Sequence, residues 1–168
     1  MNHSERERMF EELFRRHKAP IQRLCYAWLN APDEVEDLFQ EIMSNVWHAL
    51  PKFRGEAQAG TWLYRIAVNT ALLYRRKWKR GEHLMELADP SAGAHQDLED
   101  RERLDALRRA IAVLPDQDRL VITLLLEGLS YREIADVTGL TVNYVGVKVS
   151  RIKQAIEQRM TEECHGAI

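Results

Sequence analysis

Residues Leu129 to Ile152 read Leu-Ser-Tyr-Arg-Glu-Ile-Ala-Asp-Val-Thr-Gly-Leu-Thr-Val-Asn-Tyr-Val-Gly-Val-Lys-Val-Ser-Arg-Ile, an order of caps, small residues and apolar positions that leaves a chain little choice of fold. Ser130 stands where it can cap a first helix, and Glu133, three residues on, can reach back to the cap's backbone amide. Ala135 falls where two crossing helices touch, and only a small side chain lets them approach. Gly139 supplies the left-handed residue that ends the helix and turns the chain. Thr141 then caps a second helix, in which Val145, Val149, Ile152 and Ile156 recur at helical spacing and face a core. The opposite face offers Asn143, Tyr144, Lys148, Arg151 and Lys153 to solvent. This is the pattern of a helix-turn-helix, whose second helix lies in the major groove of duplex DNA.

A chain of 168 residues, 45% of them apolar, can build one core or two small ones. No apolar run approaches a membrane span, and Met-Asn-His-Ser-Glu-Arg-Glu-Arg is too charged for a signal peptide, so the chain is expected in the cytoplasm with no membrane insertion of its own. Cys25 sits in an apolar helical pattern and Cys164 in a polar tail, without the spacing of a disulfide framework or a zinc site. Cys164-His165 reads as solvated tail, so no metal is expected. The formal charge of -2 conceals a segregation. Asp33, Glu34, Glu36, Asp37 and Glu41 form an acidic block, Arg75, Arg76, Lys77, Lys79 and Arg80 a basic one, and Asp97, Glu99, Asp100, Glu102 and Asp105 a second acidic stretch. Charges act over about 10 Å at ordinary salt, so the basic block can bind phosphate whatever the total is, and the acidic ones suit a basic protein partner.

Helical spacing runs through Phe10, Leu13, Phe14, Ile21, Leu24, Cys25 and Trp28, with Pro20 expected to kink or divide the segment. A second helix opens at Pro32-Asp33 and carries Val35, Leu38, Phe39, Ile42, Met43, Val46, Trp47 and Leu50 as far as Pro51. Lys52 to Gly60 reads as a loop, after which Thr61 caps a third helix through Trp62, Leu63, Ile66, Ala67, Thr70 and Leu73. Residues 81–100, centred on Asp89-Pro90-Ser91-Ala92-Gly93, read as a flexible linker. Leu104, Leu107, Ile111 and Leu114 restore helical spacing up to Pro115, and Leu120, Val121, Leu124 and Leu125 mark another helix ending near Gly128. Nothing alternates with period two. The expected fold is all-α, with small helical domains at 1–80 and 101–168 joined by the linker.

The third helix mixes Trp62, Tyr64, Asn69, Tyr74 and Trp78 with Arg65, Arg75, Arg76 and Lys77. Aromatic faces that stack on bases, interleaved with cations for phosphate, suit single-stranded or melting DNA. Taken singly, each aromatic is as readily a core residue.

Three blocks in order then carry a resemblance over nearly the whole chain: Asp37-Leu38-Phe39-Gln40-Glu41; Phe53-Arg54-Gly55-Glu56 with Thr61-Trp62-Leu63-Tyr64-Arg65-Ile66-Ala67-Val68-Asn69-Thr70-Ala71; and Leu114-Pro115 with Leu129-Ser130-Tyr131-Arg132-Glu133-Ile134-Ala135. The chain resembles the bacterial extracytoplasmic-function sigma factors, small two-domain promoter-specificity subunits of RNA polymerase. The resemblance implies that Asp37, Leu38, Gln40 and Glu41 meet the clamp coiled coil of core polymerase, which is also contacted at its flap. It implies that Phe53, Arg54, Gly55, Trp62, Arg65, Asn69, Arg75, Arg76 and Lys77 bind the melted non-template strand at the -10 element, with a base flipped into a pocket. It implies that Lys148, Ser150, Arg151 and Lys153 meet the -35 duplex, and Asn143 and Tyr144, on the same solvent face by spacing, are expected to meet it with them. An anti-sigma factor is implied as an inhibitory partner, often one that holds the factor at the inner membrane face.

Two departures from the family pattern stand out. Ala59-Gly60 replaces bulkier residues, and Asn143-Tyr144 and Gly146 replace a Gly-Thr pair and a basic residue in the recognition helix. A conventional regulator, sensing or dimerising through its first domain, is the rival reading. An enzyme is disfavoured, since the chain has no nucleophile elbow, phosphate loop or His-Glu-x-x-His pair, and no catalytic residue or cofactor is expected.

Overall fold

A computed structural model describes residues 2–29, 31–78 and 98–165. Among them every regular element is helical: α1 (His3–Tyr26), α2 (Pro32–Ala49), a single 3-10 turn (Leu50–Lys52), α3 (Ala59–Trp78), α4 (Leu98–Ala112), α5 (Asp116–Leu126), α6 (Tyr131–Thr138) and α7 (Val142–His165). α1, α2 and α3 pack on one another, and α4 to α7 form a second group. The expected linker falls mostly outside the described residues, and its last three positions, 98–100, already belong to α4.

α1 starts at a reciprocal cap, in which the Asn2 side chain accepts from the Glu5 amide and the Glu5 carboxylate accepts from the Asn2 amide, both at 2.8 Å. Pro20 does not divide it. The helix runs on unbroken because Leu13 on one side and Ile21, Leu24 and Cys25 on the other are all buried against the bundle, which outweighs one missing amide donor. α2 has Pro32 and two carboxylates in its first turn, where a fixed φ and negative charge suit a helix start. Arg6 of α1 binds its other end, donating to the Trp47 carbonyl at 3.1 and 2.6 Å while its guanidinium lies 3.9 Å from the Trp47 ring centre.

α3 begins two residues before the expected cap. The Trp62 amide donates to the Gln58 carbonyl at 3.0 Å, and Thr61 is buried inside the first turn. Leu73 also differs from expectation, being 56% exposed where the pattern places it inward.

In the second group the local signals match the structure closely. Leu114-Pro115 separates α4 from α5, the Glu133 carboxylate accepts from the Ser130 amide at 2.8 Å, and the Ser130 hydroxyl accepts from the Glu133 amide at 3.3 Å. The Ser130 hydroxyl, donating to the same carboxylate at 2.7 Å, and then the Ser130 amide hold the Glu133 carboxyl below its usual pKa. Gly139 ends α6 at φ 76°, the Thr141 hydroxyl accepts from the Tyr144 amide at 3.2 Å, and Val145, Val149, Ile152 and Ile156 are buried. Because Gly139 occupies a left-handed position, Gly139→Ala is expected to destabilise the chain by about 1 kcal/mol, read as a lower thermal midpoint.

Candidate functional site

α2 turns Leu38 and Phe39 inward and leaves Asp37 and Gln40 exposed, with Glu41 half-buried beside them. Leu38 is fully buried and supports this acidic face from beneath. The Gln40 amide donates to Glu36 at 3.2 Å along the helix. Tyr74 borders the face from α3: burial first, then the charges of Asp37, Glu34 and Glu41, push its hydroxyl above the ordinary pKa. A face of carboxylates and one amide, a helical turn apart, can accept bonds from cations on a partner helix.

The loop after the 3-10 turn carries Phe53, exposed Arg54 and Gly55, the last at φ 73°. Phe53 is anchored on α3, its ring centre 4.9 Å from that of half-buried Trp62. Helical spacing then sets Trp62, Arg65, Asn69, Leu73 and Arg76 along one side of α3, with the last four exposed. Leu73 is the member the sequence reading missed, since its spacing also fits the apolar face. Arg75 leaves this stripe, and the side chain of Lys77, with Lys79 and Arg80, lies outside the described residues.

Gly60, one of the departures, has a local cause. A Cβ at that position would lie 3.1 Å from His17 Cε1, so the bare residue lets the imidazole lie against the start of α3, edge-on to Tyr64 with ring centres 5.8 Å apart. Burial, and then the charge of Arg16, lower the His17 pKa.

On α7, Asn143, Tyr144, Ser150 and Arg151 are exposed as expected. Lys153 is exposed too, but both lysines of the expected set also contact groups away from that face. Lys148 turns to Asp118 of α5 in an ion pair, with its side chain only 13% exposed, and Lys153 forms part of the wall of an apolar groove with Leu107, Ile111, Ile122, Leu126 and Met160.

The two groups meet through α3 and α6, and cations hold the joint. Arg23 of α1 makes a two-pronged pair with Glu127, both bonds at 2.7 Å, and burial together with that carboxylate pushes the Tyr64 hydroxyl up to about 12. Arg65 donates to the Asp136 carbonyl at 3.1 and 2.9 Å, and Arg75 pairs with Asp116 at 2.9 Å. Arg119, 4% exposed, donates to the carbonyls of Leu114 at 3.1 Å and Ala27 at 3.5 Å and to that of Ala112. The Trp28 ring lies between cations, 5.1 Å from the Arg75 guanidinium and 6.0 Å from that of Arg119. No periodicity marks Arg119, Arg23 or Glu127 as partners, because each pairs with a residue remote in the chain. The one local sign is an arginine inside the apolar run that follows Pro115-Asp116.

An acidic helix face, a cation and aromatic stripe beside a glycine-bearing loop, and a helix-turn-helix thus occur in that order. The sigma-70 region 2 family matches residues 13–81, and the sigma-70 region 4 family matches residues 104–156. The ECF RNA polymerase sigma-E factor of Escherichia coli K12 is 34% identical over 92% of this chain and 87% of its own length. The chain belongs to the extracytoplasmic-function RNA polymerase sigma factors. The RNA polymerase sigma-H factor of Pseudomonas aeruginosa is 33% identical over the same shares. Two solved structures share the fold: CnrH in complex with the cytosolic domain of CnrY (TM-score 0.71, 24% identity, 93% of this chain and 90% of that one), and the sigma factor RpoE with the anti-sigma factor NepR from Bartonella quintana (TM-score 0.74, 20% identity, 90% and 96%). A sigma factor is a promoter-specificity subunit of RNA polymerase with no catalysis of its own, so its surfaces work by binding alone.

Reversing the charge in Arg23→Glu sets two carboxylates against each other, and this sigma factor should then open, seen as a larger radius of gyration in X-ray scattering at low salt. Adding Glu127→Arg should restore the compact form. The lowered His17 pKa favours the neutral imidazole in the fold, so its stabilisation is complete above pH 6.5 and lost as pH falls through the lower folded value. The thermal midpoint should therefore drop less between pH 7 and pH 5 in His17→Gln than in the wild-type chain, on an acid scan begun at about neutral pH.

Proposed function

We propose that the two helical units, at 1–80 and 101–168, divide a promoter between them while the first also docks the polymerase. Asp37, Gln40 and Glu41 accept hydrogen bonds from the clamp coiled coil of core polymerase. The apolar groove between α4 and α7, where Leu126 is 62% exposed, takes the flap. The Phe53–Gly55 loop and the α3 stripe hold the melted non-template strand of the -10 element. Asn69 is both donor and acceptor for the edge of an extruded base, Trp62 is a stacking surface, and Arg54, Arg65 and Arg76 meet phosphates. α7 reads the -35 element as duplex through Asn143, Tyr144, Ser150 and Arg151.

The observation that carries this reading is the α3 stripe, where an exposed amide is flanked by cations and an anchored aromatic. Its mechanism is differential binding. Contacts made only to extruded bases and the strand backbone shift the duplex toward the open state, and two linked elements raise each other's effective concentration. In the compact form Arg65 is engaged by the Asp136 carbonyl of α6 and Arg75 by Asp116 of α5, so DNA competes with the second helical group for both cations. Promoter loading then goes with opening of the joint. One of the solved structures with this fold is a sigma factor in complex with an anti-sigma factor. An anti-sigma factor that covers the α2 face and keeps the joint shut fits this chain too, with the protein cytoplasmic or held by that partner at the inner membrane face. No helix among the described residues is long and apolar enough to cross a membrane.

Transcription by core polymerase on randomised promoters, with and without the chain, tests the reading. Start sites should appear only with the chain. Asp37→Arg combined with Gln40→Ala should cut core binding at least about tenfold, the scale of losing charge-assisted bonds, without moving the thermal midpoint. Specific duplex binding by the chain alone, with no initiation, would overturn it.

A further inference from the structure

The DNA-facing side of α7 is unusually apolar. Val142, Tyr144 and Val147 are 46%, 45% and 46% exposed, and Val147 lies by helical spacing with Asn143, Ser150 and Arg151, opposite the buried Val145, Val149 and Ile152. The adjacent Lys148 is drawn to Asp118, with its ammonium over the Tyr144 ring at 5.4 Å from the ring centre. Beside Val147 stands Gly146, which has no internal reason to be glycine. A Cβ there would meet only Tyr131 ring carbons, at 3.6 and 3.8 Å, which is ordinary contact, and its φ is not in the left-handed region. Glycine within a helix costs about 1 kcal/mol against alanine, and the bare backbone leaves room for a close approach from outside.

We infer that Val147, admitted to the groove floor by the bare backbone at Gly146, sets specificity at the -35 element by packing on the methyl group of a thymine. Thymine alone presents a methyl in the major groove, and the other edges present donors or acceptors. Valine has neither, so against guanine, cytosine or adenine it would desolvate a polar group without replacing its hydrogen bond. Asn143 and Arg151 on the same side supply polar contacts to the neighbouring bases or phosphates. The inference rests on the reading of α7 as the -35 helix.

Holoenzyme built with the full chain, on a promoter selected from the library, provides the test. Each -35 thymine is replaced in turn by deoxyuridine, which removes only the methyl. At one position wild-type affinity should fall about fourfold, the worth of one buried methyl. Val147→Ala should lose as much on the unmodified promoter and become indifferent to deoxyuridine there. Its exposure means that folding, checked by the thermal midpoint, should hold. Gly146→Ala should raise the thermal midpoint yet weaken -35-dependent binding. Indifference of the wild type to every deoxyuridine, or an equal loss in Val147→Ala, would overturn the contact. Unchanged affinity in Gly146→Ala would overturn the close approach. Initiation that survives scrambling of the whole -35 element would instead sink the assignment of α7, and this contact with it.

Discussion

Arg119 is the charge around which both helical groups are arranged. A guanidinium taken out of water loses roughly several kcal/mol of hydration unless it is bonded, and in the chain's interior few acceptors are free to serve it. The carbonyls at the α4–α5 break are available because Pro115 interrupts the helical ladder there, and the carbonyl of Ala27 is available because α1 has just ended. Break, helix end and arginine therefore depend on each other. Trp28 completes the arrangement by offering ring faces to Arg119 and Arg75, so the cations share one apolar neighbour. Burial and then the charge of Arg75 lower the Arg119 pKa, while Asp116 acts in the opposite direction. A contact so built can hold two domains together and still yield to a stronger competitor.

That balance gives a physical sense to a protein whose work is binding. In the proposed function, polymerase, melted strand and duplex need three different chemistries, and the chain keeps them apart: acceptors on α2, stacking and cations on α3, an edge-reading face on α7. α3 serves twice. Its stripe points Asn69 and Arg76 to solvent while Arg65 and Arg75 reach the second domain, so the helix proposed to bind the opened strand is also the one that contacts the second domain.

The legible parts of this chain are those whose cause is local. The helix-turn-helix could be read to the residue because a cap, a left-handed glycine and a core spacing each act within four positions. Capping box, Gly139 and the buried Val145, Val149, Ile152 and Ile156 all stand where the pattern puts them. Pro20 misled because burial on both sides outweighs one absent bond. Thr61 misled because a good cap residue is also a tolerable buried one. Leu73 has the spacing of a core residue but no element covers it. Among the expected site residues, Leu38 is buried beneath the exposed face of α2, and on α7 Lys148 pairs with Asp118 of α5 while the exposed Lys153 borders the groove beside α4.

Sequence alone determined the all-helical class, the order of the acidic, aromatic-basic and helix-turn-helix blocks, and the family, because these follow from spacing within a few turns. Tertiary structure decided which cations remain available. Whether Arg65, Arg75, Lys148 or Arg119 meets phosphate, a carbonyl or a carboxylate depends on groups from other helices, up to 92 residues away in the case of Arg119 and Ala27. A side chain's charge is written in the chain, whereas its partner depends on which distant backbone and carboxylate oxygens the packing brings within about 3 Å.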